Sequence, residues 1–331
     1  KDADVDVDVS GSIANVTAQN ITDLNALLAA TTGTVTATID GYLAELVDIS
    51  SNTSPALTIT VNDTEVTAAN LNTVNDATTV DISASTVTQI TGTATQLATT
   101  YSGSGFTGLG DEAIDVSDNS ITKDQANIIN GYTTGVVTAT ISTTAIDDLD
   151  DLTGTGNAYT VSVGTGSVTA AALNIVNTAT TVDVNASAVT DITGTVAQLA
   201  TTYGGGISNL GNENITISAI TNVTTQNITD LNTVLAATTG TVTATLAGNQ
   251  AQLVSITSEE SSAATNALTI TVNDVVTAAQ GKSIVDATSL GTVNFSAAGV
   301  SDSFENLVSG GAVSAEMEAI DAKDADVDVT V

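Results

Sequence analysis

The sequence predicts an α/β solenoid, in which right-handed tandem coils of 22–34 residues, each a strand plus a short helix, share one continuous parallel β-sheet face. Three observations support this fold class. The segment that begins at Val16 returns at Val223 with few changes. Short runs such as Val35 to Ile39 alternate apolar and polar residues, which is typical of a half-buried strand. Helix-start signals such as Thr17 lie between these runs, so each unit must bury its apolar side against its neighbours.

The elements follow from these signals in chain order. The predicted strands are centred at Val7, Ala37, Ile59, Ile82, Val116, Ala139, Val161, Val184, Ile217, Ala244, Ile270, Phe295 and Val329. The predicted helix N-caps are Thr17, Thr67, Thr122, Thr169 and Thr224, and Gln125 completes a capping box with Thr122. Two longer coils contain an extra segment, residues 88–101 and 190–203, which we expect to bulge on the helix side without interrupting the strand ladder.

The heptapeptide KDADVDV indicates how the repeats are organised. It opens the chain at Lys1 and reappears at Lys323, an offset of 322 residues. Residues 1–322 are therefore predicted to form one tandem period of about twelve coils, and residues 323–331 to begin the next period. With neither a starting Met nor a leader, we expect the chain to be part of a longer tandem array.

Composition argues against most chemistry. The chain has 37 acidic residues against four Lys or Arg, a net charge of −33, and neither His nor Cys. It therefore lacks the side chains of a Ser/His/Asp or Cys/His centre and of a nitrogen or sulfur zinc site, and we predict that it is not an enzyme. Its charge would repel nucleic-acid phosphates, and it contains no run of about 18 apolar residues that would span a membrane.

Acidic side chains are the candidate cation ligands. Asp2, Asp4, Asp6 and Asp8 alternate with apolar residues near one end, and Asp324, Asp326 and Asp328 repeat the pattern near the other. Asp81 and Asp115 are predicted at equivalent outward positions of adjacent coils, about 4.8 Å apart if their strands pair. Two interpretations stay open: diffuse cations that neutralise a solvated acidic face, and specific calcium sites built from oxygen ligands.

Two internal segments resemble a known group of proteins. The segments TITVNDTEVTAANLNTVNDATTVDIS and TVSVGTGSVTAAALNIVNTATTVDV are similar to the units of very large, repetitive, adhesin-like surface proteins of marine bacteria, often described as β-strand-repeat proteins. The resemblance covers most of the chain at the level of single coils. It implies secretion, attachment at the cell surface, and length rather than catalysis.

These observations lead to a structural hypothesis with an alternative. The chain is predicted to form an extracellular stalk, fibre or surface-layer strand on a microbial cell, with condensed cations and further copies of itself as partners. The alternative is an adhesin whose repeats bind glycans or other cells directly. A third hypothesis, ice binding through T-x-T strands, is weakened because Asp81, Asp115, Asp183 and Asp328 interrupt the threonine pattern.

Overall fold

A computed structural model describes residues 4–50, 55–103, 105–295 and 299–331. The chain divides into two compact units. Unit 1 contains the described parts of Lys1–Thr143, together with Leu152–Thr160 and Ala179–Val182, and unit 2 contains Thr144–Asp151, Val161–Thr178 and the described parts of Asp183–Val331. The predicted start of a new period at residue 323 stays a prediction.

Unit 1 is built from ten strands and five helices within its described residues. The strands are β1 (Val7–Ile13), β2 (Val35–Gly41), β3 (Ala56–Val61), β4 (Glu65–Thr67), β5 (Ile82–Ser83), β6 (Gln89–Gly92), β7 (Phe106–Thr107), β8 (Ala113–Val116), β9 (Val137–Thr140) and β10 (Ala158–Thr160). The helices are α1 (Ala18–Ala30), α2 (Leu43–Leu46), α3 (Ala68–Asn75), α4 (Ala94–Tyr101) and α5 (Lys123–Asn130).

Unit 2 continues the alternation of helix and strand. Its helices are α6 (Ile146–Leu149), α7 (Ala170–Ala179, whose last residue falls in unit 1), α8 (Val196–Thr202), α9 (Thr225–Ala237), α10 (Gln250–Leu253), α11 (Ala278–Val285), α12 (Phe304–Leu307) and α13 (Ala315–Asp321). Its strands are β11 (Gly166–Thr169), β12 (Val184–Asn185), β13 (Val189–Gly194), β14 (Ile207–Ser208), β15 (Asn214–Ile217), β16 (Thr241–Gly248), β17 (Thr265–Val272), β18 (Val293–Asn294), β19 (Val300–Ser301), β20 (Val308–Ser309), β21 (Ala312–Val313) and β22 (Val329–Thr330).

The predicted continuous sheet face is wrong. Unit 1 contains two five-stranded sheets, ordered β1-β2-β3-β5-β7 and β10-β9-β8-β6-β4. Unit 2 contains a six-stranded sheet, ordered β11-β13-β15-β16-β17-β18, and the two-stranded sheets β12-β14, β19-β22 and β20-β21. The pairs are parallel, as predicted, except for the antiparallel hairpin β20-β21. The fold is therefore a mixed α/β fold with several separate sheets and not one continuous solenoid.

The sheets separate because the chain turns between two strands that follow each other closely. Residues 62–64 divide β3 from β4, and Asp63 holds this turn by accepting a hydrogen bond from the Leu43 backbone N–H at 2.7 Å. After the turn, β3 pairs with β5 whereas β4 pairs with β6. Each extra segment forms a strand and a helix: residues 88–101 form β6 and α4, and residues 190–203 form most of β13 and all of α8. The expected bulge is therefore also wrong.

The predicted helix starts are confirmed. The side chains of Thr17, Thr67, Thr122 and Thr224 each accept a hydrogen bond from a backbone N–H three residues on. Thr169 does the same for Ala172, and the Thr122–Gln125 capping box is present. These caps satisfy N–H groups that have no partner within the helix, which matters for helices of only two or three turns.

Six of the helices in the described residues are each followed by a threonine that ties the helix to a neighbouring strand or turn. Its hydroxyl donates to a backbone carbonyl 20 or more residues away and accepts the N–H of a residue just after it in sequence. In Thr238, which is fully buried, the two bonds reach the carbonyl of Glu213 at 2.7 Å and the N–H of Gly240 at 3.0 Å. The threonines that make this pair of bonds are Thr31, Thr78, Thr133, Thr180, Thr238 and Thr288.

Asparagines on the longer helices form a second set of ties. The Asn174 side chain donates to the Gln198 carbonyl at 2.9 Å and accepts from the Thr202 hydroxyl at 2.9 Å, which joins α7 to α8. Asn72 joins α3 to α4 in the same way. The apolar core lies between the helices and the strands of each unit, and its Val, Ile and Leu side chains, such as Ile59 and Leu71, are fully buried.

We predict that Thr238→Val lowers the free energy of unfolding by about 1–3 kcal/mol, because it leaves the buried Glu213 carbonyl and Gly240 N–H without their partner. Thr239→Val is the matched control: the Thr239 hydroxyl also donates to a distant carbonyl, that of Gly211 at 3.1 Å, but this bond is exposed and water can replace it, so the change should stay below about 0.5 kcal/mol. Chemical denaturation of both variants measures the difference. Equal stabilities of the two variants would contradict the role given to the buried threonines.

Candidate functional site

The two acidic segments with the KDADVDV sequence are the first candidate site. Asp2 lies outside the described residues. Asp4, Asp6 and Asp8 are exposed, and Val5 between them is 48% exposed as well. The Asp6 carboxylate accepts the Thr34 backbone N–H at 2.8 Å, and the Asp8 carboxylate accepts the Thr36 hydroxyl at 2.7 Å. We call residues 4–8 the amino-terminal acidic segment.

The carboxy-terminal acidic segment, residues 324–330, lies beside β19. Asp324 is half-buried and accepts a hydrogen bond from the Phe295 backbone N–H. Asp326 and Asp328 are exposed. The strand pairs Val329 with Val300, and not with Val293 or Phe295 as strand order along the sequence would suggest. Asp324 therefore serves as a hydrogen-bond acceptor, whereas Asp326 and Asp328 lie at the surface.

Asp81 and Asp115 are not neighbours. Asp81 is exposed and immediately precedes β5, whereas Asp115 lies on β8 in the other five-stranded sheet of unit 1. The residues opposite Asp115 are Thr91 and Thr138. The predicted stack of like charges is wrong because the two strands enter different sheets.

The candidate ligands do not converge on a metal site. Across the described ranges, no group of three or more Asp or Glu side chains is placed to hold a metal ion. Calcium prefers six to eight oxygen ligands, which these separated carboxylates do not supply together.

Two buried glutamates are not among the residues predicted from the sequence, which are all aspartates. Glu112 is 1% exposed, and its carboxylate accepts the Tyr101 hydroxyl and, at 2.7 Å, the Gly110 N–H. Tyr101 also stacks on Tyr132 with ring centroids 4.7 Å apart. The signal was present in the periodicity, because Glu112 shares the inward positions of Ile114 and Val116.

Unit 2 repeats this arrangement. Glu213 is 1% exposed and accepts the Tyr203 hydroxyl at 3.0 Å and the Gly211 N–H at 2.9 Å. Burial raises the pKa of Tyr203 well above its ordinary value, and the charge of Glu213 and the hydrogen bond to it raise it further. Burial, followed by the hydrogen bond to Glu112 and the charge of that residue, does the same to the pKa of Tyr101. Both phenols therefore stay protonated donors to a buried carboxylate, which suits a structural role.

Tyr159 differs from the half-buried Tyr101 and Tyr203. It is fully buried on β10, and no described group forms a hydrogen bond with its hydroxyl. Burial raises its pKa to about 12. Its inward position in the strand is one that Val or Leu occupies in related strands, for example Leu57 in β3.

A cavity of about 560 Å³ in unit 2 contains two of the chain's lysines. Lys282 forms an ion pair with Asp286 at 2.6 Å, and Lys323 donates to the carbonyls of Ser289 and Gly291 at 2.7 and 3.0 Å. Glu259 accepts from the backbone and hydroxyl of Ser289. The bonds of Lys323 and Glu259 connect separate parts of the cavity wall, whereas the Lys282–Asp286 pair lies at the end of the single helix α11.

The comparisons with known proteins do not place the chain in a family. No protein-family model matches the sequence, and no curated protein matches it. None of the helices that the described residues form is long and apolar enough to cross a membrane.

We predict opposite effects for two tyrosine variants. Tyr159→Phe removes a buried hydroxyl without a described partner and should raise the free energy of unfolding by about 1 kcal/mol, whereas Tyr203→Phe removes a donor to buried Glu213 and should lower it by about 1.5 kcal/mol. Denaturant unfolding at neutral pH measures both. A loss of stability in Tyr159→Phe would show that its hydroxyl is bonded.

The raised pKa of Tyr159 should make the stability of the protein depend on pH. Because the folded-state pKa of Tyr159 is about 12, against 10.0 ordinarily, the unfolded chain loses this proton first as the pH rises. The associated stability is present below about pH 10 and is lost as the pH rises towards 12. Between about pH 10 and pH 12, the free energy of unfolding should fall less steeply with pH in Tyr159→Phe than in the unmodified protein. Identical slopes would contradict the raised pKa of Tyr159.

Proposed function

We propose that this chain is a structural repeat protein that acts outside the cell, in a stalk, a fibre or a surface-layer strand on a microbial cell. The observation that carries the proposal is the repeated unit of a threonine-capped helix, a tying threonine and a strand, which recurs through both units. Its buried polar groups, such as Thr238 and Asn266, bind the chain's own backbone. A chain built in this way supports length rather than chemistry, and an enzymatic role is not part of the proposal.

The surface charge supports a role among cations and further copies of the chain. The net charge is −33 and the chain has only four basic residues. Lys282 is paired with Asp286, and Lys323 is bound to backbone carbonyls. Approach of a second copy therefore requires cations that screen the repulsion between the acidic surfaces. Calcium at a defined site remains the alternative to diffuse cations, and the two differ in ion specificity.

An adhesin is the second candidate, and a row of threonines in unit 2 favours it. Thr169, Thr193, Thr216 and Thr243 lie in register across β11, β13, β15 and β16. All but Thr193, which is half-buried, are exposed. Adjacent strands are about 4.8 Å apart, so the row presents regularly spaced hydroxyls that suit a polar ligand such as a glycan.

We predict that the purified chain associates with itself in a salt-dependent manner. The sedimentation coefficient should rise with protein concentration at about 0.15 M salt and stay constant at about 0.01 M, because the Debye length shrinks from about 30 to about 8 Å. Magnesium and calcium at equal ionic strength should act alike if screening is the cause. An effect of calcium alone would instead indicate specific sites.

The adhesin alternative makes a different prediction for the same material. The adhesin function would be favoured if the sedimentation coefficient is independent of concentration at both salt levels and the chain binds an immobilised glycan. Thr216→Val in the threonine row should then weaken glycan binding, whereas Thr229→Val, an exposed change on the helix α9, should leave it unchanged. Salt-dependent association without glycan binding supports the structural proposal.

A further inference from the structure

The two acidic segments share the sequence Asp-Val-Asp-Val but use opposite edges of their strands. Residues 5–7 and residues 327–329 are both Val-Asp-Val, and β1 and β22 begin at the equivalent residues Val7 and Val329. Val7 pairs with Val35 of the next strand, and Val329 pairs with Val300 of an earlier one. The two acidic segments therefore pair with their neighbouring strands through opposite edges of the same Val-Asp-Val sequence.

The amino-terminal acidic segment is held by residues 31–36, which we call the receiving segment. The Val7 N–H donates to the Thr34 carbonyl at 2.9 Å, and the Val5 carbonyl accepts the Thr31 hydroxyl at 2.6 Å. The Asp6 carboxylate accepts the Thr34 N–H at 2.8 Å. Gly33 lies so close to Val5 that an added Cβ would be 2.5 Å from the Val5 carbonyl, so the receiving segment fits a bare backbone at this point.

The carboxy-terminal acidic segment uses its other edge. The Val300 N–H donates to the Asp328 carbonyl at 2.7 Å, and the Asp302 N–H donates to the Thr330 carbonyl at 3.2 Å. In a parallel ladder, successive residues direct their backbone groups to alternate sides, so the N–H and carbonyl of Val329 face away from β19. Val329 is 48% exposed, and β22 is an edge strand among the described residues. Such an edge is a template for pairing with another chain.

We infer that the open edge of the carboxy-terminal acidic segment binds the receiving segment of a second copy of this chain. Val329 takes the place of the second copy's Val7 and donates to its Thr34 carbonyl. The Val327 carbonyl and the Asp328 carboxylate replace those of Val5 and Asp6. The inference rests on the proposed structural function and names the partner surface that links one copy to the next.

The exchange preserves the bonds that hold the receiving segment. Three of the groups that contact it are supplied by identical residues in the two segments. The difference lies at Asp8, which contacts the Thr36 hydroxyl and is replaced by Thr330, another residue with a side-chain oxygen. The second copy's own segment competes because it is tethered nearby, at an effective concentration in the millimolar range. Weakening that segment should therefore promote exchange.

Disulfide trapping tests the register, and the chain has no Cys that would interfere. A chain carrying Val7→Pro, which removes the N–H donor of its own segment, and Thr36→Cys is mixed with a chain carrying Thr330→Cys under mild oxidation. Residues 36 and 330 should be opposite each other, with Cα atoms about 4.8 Å apart, within the range for a disulfide. Thr38→Cys replaces Thr36→Cys in the control, where the Cys lies two residues out of register.

The inferred contact predicts a covalent heterodimer with Thr36→Cys at a yield about tenfold above the Thr38→Cys control, in which the Cys is out of register. The yield should also be about tenfold above that of the same pair without Val7→Pro, because one lost hydrogen bond weakens the competing segment by about this factor. Equal yields in the two Cys positions would overturn it. If the Val7→Pro chain does not fold, the same comparison of Thr36→Cys with Thr38→Cys is made in chains that keep Val7.

A second variant separates this inference from the proposed function. Val329→Pro removes the donor on the open edge, and proline is accepted where the N–H faces away from the paired strand. The inference predicts that Val329→Pro lowers self-association in sedimentation about tenfold. If the unmodified chain and Val329→Pro associate equally, the chain assembles through another surface and only the inference fails. If neither associates, the proposed function fails with it.

Discussion

The bond on which the fold most depends is the one between a buried threonine and the backbone of a neighbouring strand or turn. It follows six helices among the described residues of the two units, with the hydroxyl between a distant carbonyl and a nearby N–H, as at Thr133 and Thr238. Each net hydrogen bond contributes about 1 kcal/mol, but leaving the buried carbonyl unpaired costs more. Glycine follows closely in several repeats because the chain approaches the same carbonyl: a Cβ on Gly240 would lie 2.2 Å from the Glu213 oxygen.

Neutral side chains hold the repeats together, which explains how a chain with a net charge of −33 folds. Threonine and asparagine supply donors and acceptors whose strength does not vary with salt, whereas the carboxylates are mostly at the surface. Glu112 and Glu213 are the fully buried acidic residues in the part of the chain that the structure describes, and each accepts hydrogen bonds from a tyrosine hydroxyl and a backbone N–H. Salt should therefore govern the association of copies more than the stability of one copy.

Local structure was predictable from the sequence, but the division into sheets was not. Thr17 and Thr224 were identified as caps because a cap depends on residues within one turn. The alternation in residues 89–92 was visible too, yet which sheet that strand joins depends on the turn at Asp63 and on pairing with distant strands. Asp81 and Asp115 were misplaced for the same reason. Glu112 was missed because its charge was taken as a sign of exposure, although its position in the pattern was inward.

The most direct test of the central claim is the hydrogen exchange of the backbone N–H groups that donate to the buried threonines. Gly33, Gly135 and Gly240 donate to Thr31, Thr133 and Thr238 at 3.0, 2.9 and 3.0 Å. Gly310, in the exposed hairpin turn between β20 and β21, is the reference. If these bonds hold the repeats together, the three amides exchange at least about a thousandfold more slowly than Gly310, as core amides do. Exchange at the rate of Gly310 would show that the threonine bonds open freely and that other contacts hold the fold.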